Sequence, residues 1–586
     1  MKELRPPGVY VERERLPDRS ISVVRTGVPG FLGVSIKGQL DEPILVQSFE
    51  HFRREFGDRV PGGYLYDAVK GFFDNGGGGC YVVRVARTER RRGIESASTA
   101  GAVIKDREGK DTIAITALNE GAWGNDVEIR VEAPEEPRVQ TFLLQDLTPG
   151  DSEAVVKSTR GFLRGTVTRV HDGEKEEHLT VVEVAGKRIR FDRKVSGHFQ
   201  SAAPTYLDPV EFTVVARLRQ GAETFEGLSF SPASAKFFER HVNQASRWIN
   251  LTNLDTETAI PACYPADLDW TPLVGGADGL SSLGPDDFIG YNKGPVERKG
   301  LGAFEVIDEV DLICAPDLFF ALETSDRFRT ARDVEAVQDA IITHCELAKD
   351  RFAILDLLPD AGFEEAEQWR LLFDSSYAAF YYPWLVVEHR GKRRNVPPCG
   401  HVAGVYAKCD ENVGVHQPPA NVEMEGVLDL AVLLNDEHLA ILNRDGINCI
   451  RAIPNRGLRI WGARTICSDP QWRYVNVRRL FTMLVRSIRR GTQWTVFEPN
   501  DHRLWDMVSL NLRVFLESLA AKGYFKGETL EDAFYVKCDG ETNPAEVRDA
   551  GQMIVEIGVA PVRPAEFITA RIRQHLEDAA ASAGEE

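Results

Sequence analysis

The pattern of apolar and polar residues changes character several times along this chain. Residues 28–90 have a mixed rhythm. The stretches VPGFLGVSIKG and PILVQS read as strands, and Ser48 caps a short helix with Phe49, Phe52 and Phe56 on one face. A second helix carries Leu65, Ala68, Val69, Phe72 and Phe73 at i, i+3, i+4, i+7 spacing. The run Asn75-Gly76-Gly77-Gly78-Gly79 ends it, and CYVVRV follows as a buried strand. From about 95 to 230 the rhythm shortens to period two. NDVEIRVEA, TFLLQD, LRGTVTRVH, HLTVVEV, KRIRFDR and VEFTVVARL predict an inserted, mainly β domain on the outside of the molecule.

From 231 to 455 near-continuous apolar strands (VDLICAP, RFAILDL, AFYYPWLVV) alternate with helices predicted at 234–249, 331–348, 362–373 and 399–410. This alternation implies a mostly parallel sheet covered on both faces. The remainder reads as α+β: helices at 474–490 and 501–522, and strands TQWTVFE, AFYVKCD, QMIVEIGVA and EFITARI. The expected division is therefore an extended arm (1–20), an α/β segment (21–94), a mainly β insertion (95–230), an α/β domain (231–455), an α+β domain (456–564), and a C-terminal arm with an acidic, alanine-rich tail (565–586).

Charge and composition narrow the function classes. The net charge of −19 argues against nucleic acid as a partner, since phosphate binding needs clustered positive charge. No run reaches the ~18 apolar residues of a membrane span, so direct membrane insertion is not expected. Met1–Pro7 has no apolar signal region, which points to cytoplasmic assembly and release by another route such as lysis. The nine cysteines are scattered without a CxxC and read as reduced, packed thiols. The twelve histidines show no HExxH-like spacing, and neither metal nor cofactor is expected. The Gly76–Gly79 run ends a helix and precedes a strand, the reverse of a phosphate loop, and no GK[ST] follows.

Several segments, taken in order, resemble the contractile phage tail sheath family. They are PGVYVE, YLYDAVKGFFDNGG, CYVVRV, AWGND, VGGADG, IDEVDLICAP, RFAILD, PPCGHVAGVYAKCDENVGVHQPPAN, RGLRIWGARTI, WRYVNVRRLF, GTQWTVFEPND, FYVKCD and EIGVAPVRPAEFI. The resemblance covers both ends and the α/β middle, and is weakest over 95–230. It implies an α/β and α+β multidomain fold with a subtilisin-like α/β central domain and a C-terminal domain nearest an inner tube. It implies a homo-oligomeric sheath of stacked six-membered rings that assembles extended and contracts to drive the tube through a target membrane. The implied partners are further copies, the inner tube protein, the baseplate and a tail terminator or cap, in a phage tail or a headless tail-like particle.

A subtilisin-like fold raises the alternative of a hydrolase, which needs Asp, His and a nucleophilic Ser. His401-Val402-Ala403-Gly404 resembles the stretch that follows the nucleophile in subtilisins, but the position five residues earlier is Val396, which has no nucleophilic oxygen. Asp356 sits where a catalytic Asp could sit, and its plainer reading is a strand-end residue capping the next turn. The chain is therefore read as a structural protein and not an enzyme. A non-contractile virion protein is the third alternative.

Two kinds of mechanical site are expected. Gly8, Val9, Tyr10, Val11 and Glu12, and Phe567, Ile568, Thr569, Ala570, Arg571 and Ile572, are candidate strands added to the sheet edge of a neighbouring copy; the plainer reading is intramolecular edge strands. The helix YVNVRRLFTMLVRSIRRG has an apolar face of Val477, Leu480, Phe481, Leu484, Val485 and Ile488. The resemblance implies that its basic residues Arg478, Arg479, Arg486, Arg489 and Arg490 face the tube; the plainer reading is a solvated face, with the late arginines stabilising the helix C-terminus.

Overall fold

The computed structural model describes residues 20–89, 94–134, 137–219, 221–255, 258, 260–295 and 297–564. Its organising element is an eight-stranded sheet. The order across it is Ile44–Val46, Cys80–Arg84, Pro29–Gly33, Leu312–Cys314, Phe352–Asp356, Ala378–Tyr382, Ile447–Ile453 and Gly457–Ile460. All but the two edge strands run parallel, and the edges are closed by antiparallel turns of chain. The strands Pro29–Gly33, Phe352–Asp356 and Ala378–Tyr382 are buried at every position, as expected when helices cover both faces. The N-terminal segment is therefore part of the same sheet as residues 312–460, and one apolar core holds them together.

Most local expectations hold. Phe49–Phe56 is helical with Ser48 as its N-cap, accepting from the His51 N–H. Leu65–Asp74 is helical and stops at Asn75. Ala331–Ala348, Phe363–Arg370, Cys399–Asn412, Val475–Gly491 and His502–Ala521 are helices where the periodicity places them. Three readings are corrected. The helix expected at 234–249 is only Phe238–Ala245. AFYYPWLVV is two strands, Ala378–Tyr382 and Leu385–His389, because Pro383 cannot donate to a ladder. TQWTVFE forms no strand; its start is the 3-10 turn Gln493–Thr495.

The β insertion runs past the expected boundary at 230. Ile249–Asn253 pairs with Asp111–Ala117, and Leu268–Pro272 pairs with Val127–Glu132. These long-range pairings bury Ile249, Leu251 and Leu273 with Ile113, Ile129 and Val131 in a core of their own. A second outer core lies within residues 141–207, built on a six-stranded sheet. That sheet closes on itself where Leu144 N–H donates to Val155 O at 2.8 Å and Lys157 N–H to Phe142 O at 3.0 Å.

Candidate functional site

Helix Leu65–Asp74 and helix Cys399–Asn412 meet with almost no side chain between them. A Cβ on Gly400 would lie 2.3 Å from the Ala68 carbonyl oxygen, and one on Gly404 2.6 Å from that of Phe72. On Gly71 it would strike the His401 ring at 2.4 Å. Glycines at these positions let the backbones pack at a distance that any larger residue forbids. Two buried carboxylates fix where these helices start. Asp317 accepts from Val34 N–H at 2.7 Å and from Leu65 N–H at 3.3 Å, and burial pushes its carboxyl up to about 6. Asp356 Oδ1 accepts from Cys399 N–H at 2.8 Å, with its carboxyl pushed up to about 7 by burial.

This geometry bears on the hydrolase alternative. Asp356 caps a helix 43 residues away and not the next turn, a correction of the expected role. Val396 is buried at the end of strand Lys392–Val396. His401 is buried against Gly71, and burial pulls its imidazole down to about 4, so it is neutral at pH 7. The three positions carry no Ser beside a His, and the arrangement supplies helix starts and close packing. Among the described residues no helix is long and apolar enough to cross a membrane. The nine cysteines are unpaired, and all but Cys467 and Cys538 are buried.

The basic helix Val475–Gly491 departs furthest from expectation. Arg479 is 3% exposed and lies between two carboxylates, with Nη2 3.2 Å from Asp311 Oδ2 and 2.5 Å from Asp410 Oδ2. Burial opposes its charge, but Asp410 and Asp311 outweigh that and raise its pKa. Its guanidinium also lies 4.7 Å from the centre of the Tyr406 ring, and Tyr406 shares a 2.5 Å hydroxyl contact with Tyr381. Arg478 is sandwiched against Trp472 and Tyr377, 3.5 and 4.3 Å from the ring centres. Arg486 donates to the Asp308 carbonyl. These three arginines therefore leave the expected tube-facing set, because each is buried and engaged within its own chain. Arg489 and Arg490 remain exposed in the last turn. Val485, on the helix's apolar face, is 50% exposed, and the adjoining loop presents Val496 and Phe497 to solvent.

Helix His502–Ala521 starts at Asp501, which accepts from Arg503 and Leu504 N–H, and it buries Trp505. The C-terminal core under these helices includes Leu480, Leu484, Leu504, Leu512 and Leu516, together with Ile21 from the other end of the chain. Beside it, Phe534–Lys537 and Glu556–Val559 form a two-stranded antiparallel sheet with no further strand among the described residues. The candidate arm strands Gly8–Glu12 and Phe567–Ile572 lie outside the described residues. Neither the Asp311–Arg479–Asp410 hub nor the root at Ile21 was legible in sequence: the partners are far apart in the chain, and no local period marks them.

Two family models match. The phage tail sheath protein central domain covers residues 308–466 and the phage tail sheath C-terminal domain covers residues 467–575. The tail sheath protein of Salmonella phage ViI is 29% identical over 240 residues, 38% of this chain, and the match spans 37% of that relative's length. In fold, the chain is similar to the sheath of the PVC extracellular contractile injection system in its contracted state, with a TM-score of 0.52 and 21% identity over 98% of this chain and 99% of that one. It is also similar to a sheath tail protein from Listeria innocua, with a TM-score of 0.54 and 12% identity over 93% of this chain and 97% of that one. From residue 308 to residue 575, this chain belongs to the phage tail sheath family.

Proposed function

We propose that this chain is the sheath subunit of a contractile, phage-tail-like injection device. Copies assemble as stacked six-membered rings around an inner tube, meet a baseplate at one end and a terminator at the other, and contract to drive the tube through a target membrane. The observation that carries this reading is the pair of sheath domains matched without interruption over 308–575. The two-stranded sheet Phe534–Lys537/Glu556–Val559 supports it. A sheet of two strands is short of partners, and backbone edges of this kind accept strands from other chains. In this reading Gly8–Glu12 and Phe567–Ile572 of adjacent copies complete that sheet. The parallel strands covered by helices support a subtilisin-like central domain that serves as a rigid body. Arg489 and Arg490 grip the tube. Exposed ion pairs contribute only ~0–1 kcal/mol each, so a subunit movement can release them, while many copies add up. Assembly takes place in the bacterial cytoplasm, and lysis releases the particle.

Electron microscopy of the chain co-expressed with its tube protein tests this. The expected result is wide helical cylinders around a narrower tube, lost when residues 1–12 and 565–586 are trimmed. A monodisperse monomer under the same conditions, or trimmed chains that still form contractile cylinders, overturns it.

A further inference from the structure

The residues just before the first strand are held by both halves of the molecule. Ile21 is buried in the C-terminal core, so close to Gly491 that a Cβ there would meet its side chain at 2.8 Å. Val24 N–H donates to the buried Ser487 Oγ at 3.1 Å. Gly27 sits at φ +73, with its Cβ position 2.7 Å from Ala407 Cα, so glycine alone brings the backbone this near the Cys399–Asn412 helix. Gly27 and Val28 N–H then donate to the two oxygens of Asp311 at 3.0 and 2.6 Å. Asp311 in turn faces Arg479, which holds Asp410. One short stretch of backbone is thus bonded to the C-terminal helix through Ser487 and to the central sheet through Asp311, and Arg479 ties those two elements to each other.

We infer that residues 21–28 are an anchorage that passes tension from the N-terminal arm into the subunit. Ser487, Asp311 and Arg479 are the positioning residues that share the load between the C-terminal helix and the parallel sheet. A segment lying on a surface by its side chains peels from its end, one contact after another. Here backbone N–H groups are bonded to buried acceptors on two separate elements, so a pull from residue 20 that strips Val24 from Ser487 still meets the Asp311 pair. The charged acceptor makes the Asp311 pair the stronger of the attachments. The inference rests on the sheath reading, in which the N-terminal arm joins one copy to the next.

Hydrogen exchange on the full-length wild-type subunit before assembly, followed by shearing of assembled sheaths, tests it. The amides of Val24, Gly27 and Val28 are expected to exchange at least 100-fold more slowly than an unstructured chain. Ser487→Ala is expected to speed exchange at Val24 about tenfold with little change in the unfolding midpoint. Sheaths of Ser487→Ala/Asp311→Asn are expected to break at a given shear into pieces less than half the wild-type length. Unprotected amides in the wild-type subunit overturn the anchorage, as do double-variant sheaths that withstand wild-type shear. If the double variant does not fold, the Ser487→Ala sheaths decide: shorter fragments support the anchorage and wild-type lengths overturn it. If the wild-type chain builds no sheath, the sheath reading falls, and amide protection alone decides whether the anchorage exists.

Discussion

Arg479 Nη1 lies 2.9 Å from Asp410 Oδ1, and Nη2 lies 2.5 Å from Asp410 Oδ2, with both side chains 4% exposed or less. This two-pronged pairing of a planar guanidinium with a carboxylate is a geometry that lysine cannot reproduce. The same Nη2 reaches Asp311, so one cation serves two buried anions from different parts of the chain. Removing it leaves both buried carboxylates without a cation, Asp311 keeping only its two backbone N–H donors. Arg479→Met is expected to destabilise the isolated subunit by about 3–5 kcal/mol, the cost typical of breaking a buried ion pair. Arg479→Lys should recover part of that. Urea unfolding followed by circular dichroism measures both.

The raised carboxyl of Asp356 makes a pH prediction. Its folded pKa of about 7 lies above the ordinary value of 3.8, so the unfolded chain gives up this proton first. The stability tied to the group is fully present below about pH 4 and is lost as pH rises through about 7. Asp356→Asn keeps an acceptor for Cys399 N–H and removes the titration. Relative to wild type, the variant should therefore gain stability between pH 4.5 and 7, with a slope of up to about 1.4 kcal/mol per pH unit. Urea midpoints of the two proteins across that range check it; parallel curves refute it.

Gly400→Ala places a methyl group 2.3 Å from the Ala68 carbonyl oxygen, in a contact made of backbone on both sides. The helices must separate, and the loss is expected at about 1–3 kcal/mol. Gly551→Ala tests specificity, because its Cβ would meet nothing within 4 Å; there any cost comes from its φ of +71 alone. A Gly400→Ala melting curve that overlays wild type would show that the two helices do not pack this way.

The outer lobe should be separable. Its core shares no residue with the core beneath it. The chain leaves for it at Glu132 and returns at Thr213, which are direct strand partners. Replacing residues 137–207 with a short Gly/Ser linker is expected to leave the rest folded, with a single cooperative transition near the wild-type temperature. Loss of folding on excision would show that the lobe is integral to the β insertion.

Reversing both charges in Arg489→Glu/Arg490→Glu is expected to cost the isolated subunit no more than about 2 kcal/mol, since both side chains are exposed and the loss is confined to the last turn of the helix. Retention of the tube in extended sheaths should fall, and raising ionic strength should loosen the wild-type grip in the same direction. Co-sedimentation of tube with sheath at low and high salt reads this directly.

Sequence by itself determined the elements whose cause is local. Ser48 before Phe49, the Leu65 to Phe73 spacing, the stop at Asn75 and the apolar run Phe352–Asp356 each act within a few residues, and each forms where the pattern places it. The motifs at 308–575 likewise carried the family. Only the tertiary structure decided which polar residues face inward. Periodicity sets arginines on the solvent side of a helix, yet Arg478, Arg479 and Arg486 are buried, because Trp472, Asp311, Asp410 and the Asp308 carbonyl meet them from distant parts of the chain. Tertiary structure also withheld a strand from TQWTVFE and carried the β insertion on to Leu268–Pro272. A strand exists only where a second one lies alongside, and that neighbour is a property of the folded chain, not of the segment's own residues.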